Sequence, residues 1–214
     1  MNTKEKFVIT INRELGSGGR TVGEILAEKL GVPFFDKALI KALTKEYNLK
    51  PEEIEKLKGQ RYSWWSEFIR AVVIGQSWSR GSECPAPEGE GDPSLITTKE
   101  VFKSESQILR NLADAGSCVI AGRSGFFVLK DHPNKLSVLI QASPEYRIAR
   151  VMERQGLSRE DAQKAIERVD KMRENYVSNF AKTSRYDTRN YDLVIKSDGK
   201  SEEEIADLIL RYIG

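Results

Sequence analysis

The stretch Asn12-Arg13-Glu14-Leu15-Gly16-Ser17-Gly18-Gly19-Arg20-Thr21 is the strongest chemical signal in the chain. It follows an apolar run at 7–11 and precedes a segment of helical spacing. A glycine-rich turn between a strand and a helix leaves backbone N–H groups aimed at one point, where the helix N-terminus adds about half a positive charge. Three glycines in four residues, Gly16, Gly18 and Gly19, let an anion approach the main chain closely. The chemistry this favours is phosphate binding by Gly16, Ser17, Gly18, Gly19, Arg20 and Thr21. The Thr21 hydroxyl is placed to hold Mg²⁺ beside the phosphates. The alternative is a glycine-rich turn with Thr21 merely near the helix start. The usual lysine is absent: Gly19 stands there, with Arg20 next, and Arg13 replaces the usual leading glycine. Arg20, with its bidentate fork, is the candidate substitute for that lysine.

Phosphoryl transfer needs two phosphates aligned, developing charge neutralised and water excluded, and arginine suits that work. Arg147, Arg150 and Arg154 fall at i, i+3 and i+7, on one helical face. From 147 to 189 there are eleven basic residues against seven acidic ones. Either this is a solvated face with Glu153, Glu160 and Glu167 as partners, or it is a mobile lid whose arginines close over the transferring phosphate. Arg173 lies three residues from Asp170, which makes an i,i+3 ion pair or a reach towards phosphate. Arg123 follows an apolar run at the edge where open α/β sheets bind ligands, as an acceptor-phosphate contact or an ordinary sheet-edge arginine. Asp36 also ends an apolar run and either meets the acceptor nucleotide or caps the next helix. Trp64 and Trp65 either stack on a base or belong to a core or a dimer interface, which leaves a homo-oligomer open.

Five short apolar runs, at 7–11, 32–35, 118–121, 136–140 and 193–195, must position these residues. They lack strict alternation, as strands buried on both faces of a parallel sheet do. Helical spacing lies between them. Val22, Ile25, Leu26 and Leu30 form one stripe stopped by Gly31; Leu39, Ile40 and Leu43 a second; Ile108, Leu109 and Leu112 a third. Ile205, Leu208, Ile209 and Tyr212 share a side in the last. The expected fold is α/β, a three-layer sandwich with a five-stranded parallel sheet. About eighty residues separate the second and third strands. We read 1–214 as a single domain with a mostly helical insertion at 37–98 and a lid region at 144–189.

The 34 basic and 32 acidic side chains leave a net charge of +2, which argues against a nucleic-acid binder on bulk charge. No apolar run approaches the roughly 20 residues of a membrane span. Cys84 and Cys118 have no paired spacing, and His132 is the single histidine. No disulfide framework, zinc cluster or signal peptide is expected, and a reducing cytoplasm is the expected setting.

The sequence resembles the cytidylate kinase-like family of P-loop nucleoside monophosphate kinases. The resemblance is carried by 11–20, with its lysine-free loop, by Leu30-Gly31-Val32-Pro33-Phe34-Phe35-Asp36-Lys37 and by Val119-Ile120-Ala121-Gly122-Arg123. It continues in Gln141-Ala142-Ser143-Pro144-Glu145-Tyr146-Arg147-Ile148-Ala149-Arg150, Val169-Asp170-Lys171-Met172-Arg173 and Tyr191-Asp192-Leu193-Val194-Ile195. Residues 60–98 have no counterpart. The resemblance implies a P-loop fold and transfer of the ATP γ-phosphoryl group, with Mg²⁺, to a nucleoside monophosphate, CMP or dCMP first. Arg20, Arg147, Arg150 and Arg173 would serve catalysis, and Asp36, Arg123 and Asp170 the acceptor. The ATP base would lie near Ser197 and Asp198. Ala121 and Ser124 stand where cytidylate kinases carry acidic residues. Two alternatives follow: a nucleotide-binding protein with a degenerate loop and little kinase activity, or a kinase of another small acceptor. An RNA-binding module would need a basic stripe interleaved with aromatics, and only Tyr146, Tyr176, Phe180 and Tyr186 lie near the basic cluster.

Overall fold

The five apolar runs become five strands. These are β1 (Val8–Arg13), β2 (Phe34–Phe35), β3 (Cys118–Ala121), β4 (Lys135–Gln141) and β5 (Leu193–Lys196). They form one sheet in the order β2-β3-β1-β4-β5, with every pairing parallel. The computed structural model describes residues 1–36 and 99–214. The insertion at 37–98, with its expected helix and the three tryptophans, lies outside the described residues.

Helices α1 (Gly19–Leu30), α2 (Lys99–Ala115), α3 (Gly125–Val128), α4 (Pro144–Gln155), α5 (Arg159–Ala181) and α6 (Glu202–Ile213) complete the fold. Successive strand residues point to opposite faces, and β1 uses both. Ile9 and Ile11 pack with Val22 and Leu26 of α1 and Ile205 and Ile209 of α6. Val8 faces the other way, towards Ile108, Leu109 and Leu112 of α2. Helices therefore cover both faces, which is why the strands show no polar alternation. One buried polar pair interrupts the aliphatic sheet: Thr10 lies opposite Ser137 in register, and its hydroxyl donates to Ser137 Oγ at 3.0 Å.

The α6 stripe differs from expectation. Ile205 and Ile209 are buried together with Ala206, but Leu208 is 40% and Tyr212 56% exposed. Ala206 and Ile209 turn the apolar arc away from Leu208, so the helix seats on the small side chain. The expected stop of α1 is in place, with Gly31 left-handed beyond Leu30.

The 144–189 segment is α4, α5 and a 3₁₀ turn at Thr188–Asn190. Ser143 caps α4 with Pro144 at its first turn, and Ser158 caps α5. Ile148, Val151, Ala162 and Ile166 form a small separate core that takes in Leu15 from the loop after β1. Because the sheet is parallel, the exits of all five strands lie along one edge, which is where such sheets bind ligands. Among the described residues no helix is long and apolar enough to cross a membrane.

Leu26 is fully buried between β1 and α6. Leu26→Ala should lower stability by about 2–5 kcal/mol in urea denaturation, with an unchanged denaturant slope.

Candidate active site

The loop after β1 is shaped by contacts on its rear. The amide of Glu14 donates to Ile140 O at 3.1 Å, and that of Ser17 to Glu14 O at 3.3 Å. The amide of Leu15 donates to Asp170 Oδ1 at 3.2 Å. Gly16 and Gly18 are left-handed, with φ of 83° and 79°, and nothing larger fits at Gly16: a Cβ there would lie 2.7 Å from the carbonyl oxygen of Arg147. The front of the loop is open. The first bond into α1 runs from the amide of Val22 to Gly18 O. The amides of Gly18, Gly19, Arg20 and Thr21 have no partner among the described residues, and no acidic residue stands in the first turn of α1. Open amides at a helix N-terminus are the kind of donors that anions bind.

Asp170 is the hub behind the loop. Arg147 bonds it through Nη2, Arg185 through Nη1 at 3.2 Å, and Arg173 lies 3.5 Å away. Arg147 is itself buried; its Nε donates to Leu15 O at 2.8 Å and its Nη1 lies 3.3 Å from Glu14. Arg173 and Arg185 both donate to the carbonyl of Arg13. Arg185 is fully buried. Tyr191 donates to its carbonyl oxygen at 2.7 Å and accepts from Asn12. Burial pushes the Tyr191 hydroxyl up to about 12, so it stays a donor. A buried charge needs partners, and here three guanidinium groups share two carboxylates, Asp170 and Glu14.

The expected single face of Arg147, Arg150 and Arg154 is divided. Arg147 turns inward to Asp170, while Arg150 and Arg154 meet Glu202 at the start of α6. That pair stands beside the loop: a Cβ on Gly18 would lie 3.1 Å from Glu202 Oε1 and 3.3 Å from Arg150 Nη2. Burial opposes ionisation of Glu202, but the Arg150 hydrogen bond and the charges of Arg150 and Arg154 hold its carboxyl below the usual range.

Arg20 and Asp36 meet at the exit of β2. Arg20 Nε donates to Asp36 at 3.0 Å, and Nη1 lies 2.9 Å from Glu24. Arg123 lies elsewhere along the edge, 3.1 Å from the buried Glu105 and over the ring of Tyr176. Tyr176 donates to the same carboxylate at 2.8 Å; burial, aided by Glu105, pushes its hydroxyl well above the ordinary tyrosine range. Gly122, Arg123 and Ser124 are all left-handed, with φ of 87°, 53° and 52°, a costly conformation for the last two. Arg123 Nε and Ser124 Oγ are buried and lack a hydrogen-bond partner among the described residues. Ser197 bonds Gln141 O at the exit of β4. Asp198 accepts from the Ser143 amide, and that bonding holds its carboxyl below its ordinary value.

The structure thus gathers Gly16, Ser17, Gly18, Gly19, Thr21, Arg147, Arg150, Asp170 and Arg173 around one loop. It sets Arg20 with Asp36, and Arg123 with Glu105, as separate pairs on the same edge. Arg185, Glu202 and Glu105 do not stand out in the sequence. Each gains its place from a partner distant along the chain, and the excess of basic residues over 147–189 is the one signal that touches Arg185.

Residues 8–199 match the cytidylate kinase-like family. The chain belongs to that family. It is 29% identical over 69% of its length to a uronate isomerase of Corynebacterium glutamicum, covering 27% of that protein. It is 26% identical over 97% of its length to an S-adenosylmethionine-dependent nucleotide dehydratase of Lacinutrix mariniflava, covering 36%. The chain therefore spans about a third or less of the curated relatives it matches. Among solved structures it is similar to an uncharacterized protein from Eubacterium ventriosum, with a TM-score of 0.69 at 24% identity over 97% and 98% of the two chains. A shikimate kinase from Bacteroides thetaiotaomicron aligns with a TM-score of 0.50 at 14% identity over 97% and 98%. The fold is that of the P-loop kinases, and the open amides of Gly18 to Thr21 stand at the turn from the first strand into the first helix.

Asp170→Asn would leave Arg147 and the fully buried Arg185 short of their counter-charge. It should cost about 3–5 kcal/mol, measured by denaturant unfolding against the wild type. Glu202 supplies a second test. Its folded value lies below the ordinary 4.5, so its contribution is complete above that value and fades as pH falls through the folded one. Glu202→Gln should remove that part of the acid loss when stability is followed between about pH 3 and pH 7.

Proposed function

We propose that this kinase-family member transfers the γ-phosphoryl group of ATP to a nucleoside monophosphate, with CMP and dCMP the first acceptors to test. The observation that carries this is the row of open amides from Gly18 to Thr21 on a loop whose rear amides are already occupied. Such a loop grips a polyphosphate without reorganising, and preorganised donors are the main catalytic resource of phosphoryl transfer. Family membership supports a nucleotide acceptor. So does the relative named for acting on a nucleotide, which matches 97% of this chain.

In this reading Gly16, Ser17, Gly18, Gly19 and Thr21 hold the donor phosphates, and Ser197 and Asp198 lie beside the ATP base. Asp36 and Arg123 serve the acceptor side, joined by the 37–98 segment as its binding arm, while Asp170 acts from behind the loop by holding Leu15 and its arginines. The Arg123 turn suits an acceptor phosphate, because Arg123 Nε and the Ser124 hydroxyl are polar groups without a hydrogen-bond partner among the described residues. Arg20, Arg147, Arg150 and Arg173 balance the charge that develops in transfer. Arg147 acts by fixing the loop, while Arg150 reaches phosphate by exchanging Glu202 for it. Mg²⁺ supplies charge neutralisation on the phosphates when bound. The residues present fit a cation carried in on the nucleotide: Thr21 offers a hydroxyl at the loop, and among the described residues no group of three His, Cys, Asp or Glu would hold a metal alone.

One observation favours a second reading, nucleotide binding with little transfer. Gly19 stands in the lysine position, and the Arg20 guanidinium is already bound by Asp36 and Glu24. A coupled ADP-release assay with Mg·ATP and a panel of nucleoside monophosphates separates the two. The kinase reading expects acceptor-dependent ADP release, greatest with CMP or dCMP. Binding of ATP with no release above the ATP-only background for any acceptor would leave the second reading standing.

A further inference from the structure

Two departures from the usual phosphate loop, Arg13 for its leading glycine and Gly19 for its lysine, lie six residues apart and touch in space. A Cβ on Gly19 would stand 2.5 Å from Arg13 Cβ and 3.1 Å from its Cγ. The stem of Arg13 therefore fills the space from which any side chain at 19 would have to start. Its far end crosses to the turn after β3, where a Cβ on Gly122 would lie 3.4 Å from Arg13 Cζ and 3.7 Å from Nη2. The side chain thus runs from the first residue of α1 to the Gly122–Ser124 turn, and its guanidinium packs against the one point on that turn that carries no side chain. The backbone beneath it is fixed, since the Arg13 carbonyl accepts from Arg173 and Arg185 and the Gly122 amide donates to Ile11 O at 3.0 Å.

We propose that Arg13 provides the phosphate-facing cation of this loop, in place of the lysine that would otherwise stand at 19, and that residue 19 is glycine because Arg13 occupies its side-chain space. The two departures are then one exchange. The positive charge leaves the helix start, enters from the end of β1 with its stem beside the start of α1, and ends against the strained turn that carries Arg123. Its ligand is the polyphosphate of a nucleoside triphosphate, met by a planar fork instead of an ammonium point. This inference rests on the nucleotide-kinase reading given above.

Calorimetric titration of Mg·ATP into folded wild type and variants tests it, with circular dichroism to confirm folding. Arg13→Gln should weaken binding roughly ten- to hundredfold, the size expected for a lost charged hydrogen bond, and Arg13→Lys should lose less. Gly19→Ala changes no charge but puts a methyl group against the Arg13 stem, and it too should weaken binding. The exchange Arg13→Gly with Gly19→Lys should bring affinity back to within about tenfold of wild type. Wild-type affinity in Arg13→Gln, or tighter binding in Gly19→Lys alone, would overturn the proposal. If Arg13→Gln does not fold, the exchange variant decides: folded and binding supports the proposal, folded and not binding overturns it. A wild type that binds no Mg·ATP sinks the nucleotide reading, and this inference with it. Wild-type binding that Arg13→Gln leaves intact removes only the role of Arg13.

Discussion

Asp170 is the point on which the loop, α4, α5 and the 183–187 stretch are all fixed. Its carboxylate accepts from the Leu15 amide and from Arg147 and Arg185, with Arg173 close by. None of these groups could be buried alone, because an unpaired ion in a low-dielectric interior is very costly. Together they pair one another's charges, so each depends on the others. The consequence reaches the loop directly. Asp170 and Glu14 hold its rear and Arg147 holds the carbonyl of Leu15, which leaves the amides of Gly18 to Thr21 facing outward with their geometry already set. A loop free to relax would turn those amides onto its own carbonyls and lose this outward arrangement.

Along the strand edge, arginines meet carboxylates: Arg20 meets Asp36, Arg123 meets Glu105 and Arg150 meets Glu202. The pattern has a physical use. A cluster of unpaired guanidinium groups would repel itself and destabilise the fold, whereas paired ones can exchange a carboxylate for a phosphate without first losing all their hydrogen bonds. Glu202 is suited to such an exchange because two arginines share it, so releasing one leaves the carboxylate paired.

Much of the scaffold was legible in the sequence because burial on both faces writes the strands as unbroken apolar runs, and because Gly31 marks where α1 ends. The glycine-rich turn after β1 was legible for the same local reason: its glycines adjoin a strand and a helix. What was not legible depends on contacts between distant segments. Arg185 reads like any cation in a charged stretch until Asp170, fifteen residues earlier, is brought beside it. Glu202 reads as one of three acids in a helix's first turn until α6 seats against α1 and carries it to Gly18. The α6 stripe differs for a subtler reason, since Leu208 and Ile209 are neighbours in sequence and only the seating of Ile205, Ala206 and Ile209 in the shared core leaves Leu208 outside.

The missing loop lysine bears on how such motifs are read. A motif records positions along a chain, but the chemistry requires a charge at a position in space. An arginine stem is long enough to carry a cation from the end of β1 past the start of α1 to the turn after β3, provided nothing else fills the path. Here the path is clear because two residues on it, Gly19 and Gly122, carry no side chain. At Gly19 the absent Cβ is what admits the stem, so the glycine that looks like a lost lysine is also the condition for the arginine. Reading residue 19 alone suggests a damaged loop. Reading 13, 19 and 122 together describes a loop whose cation enters from the strand.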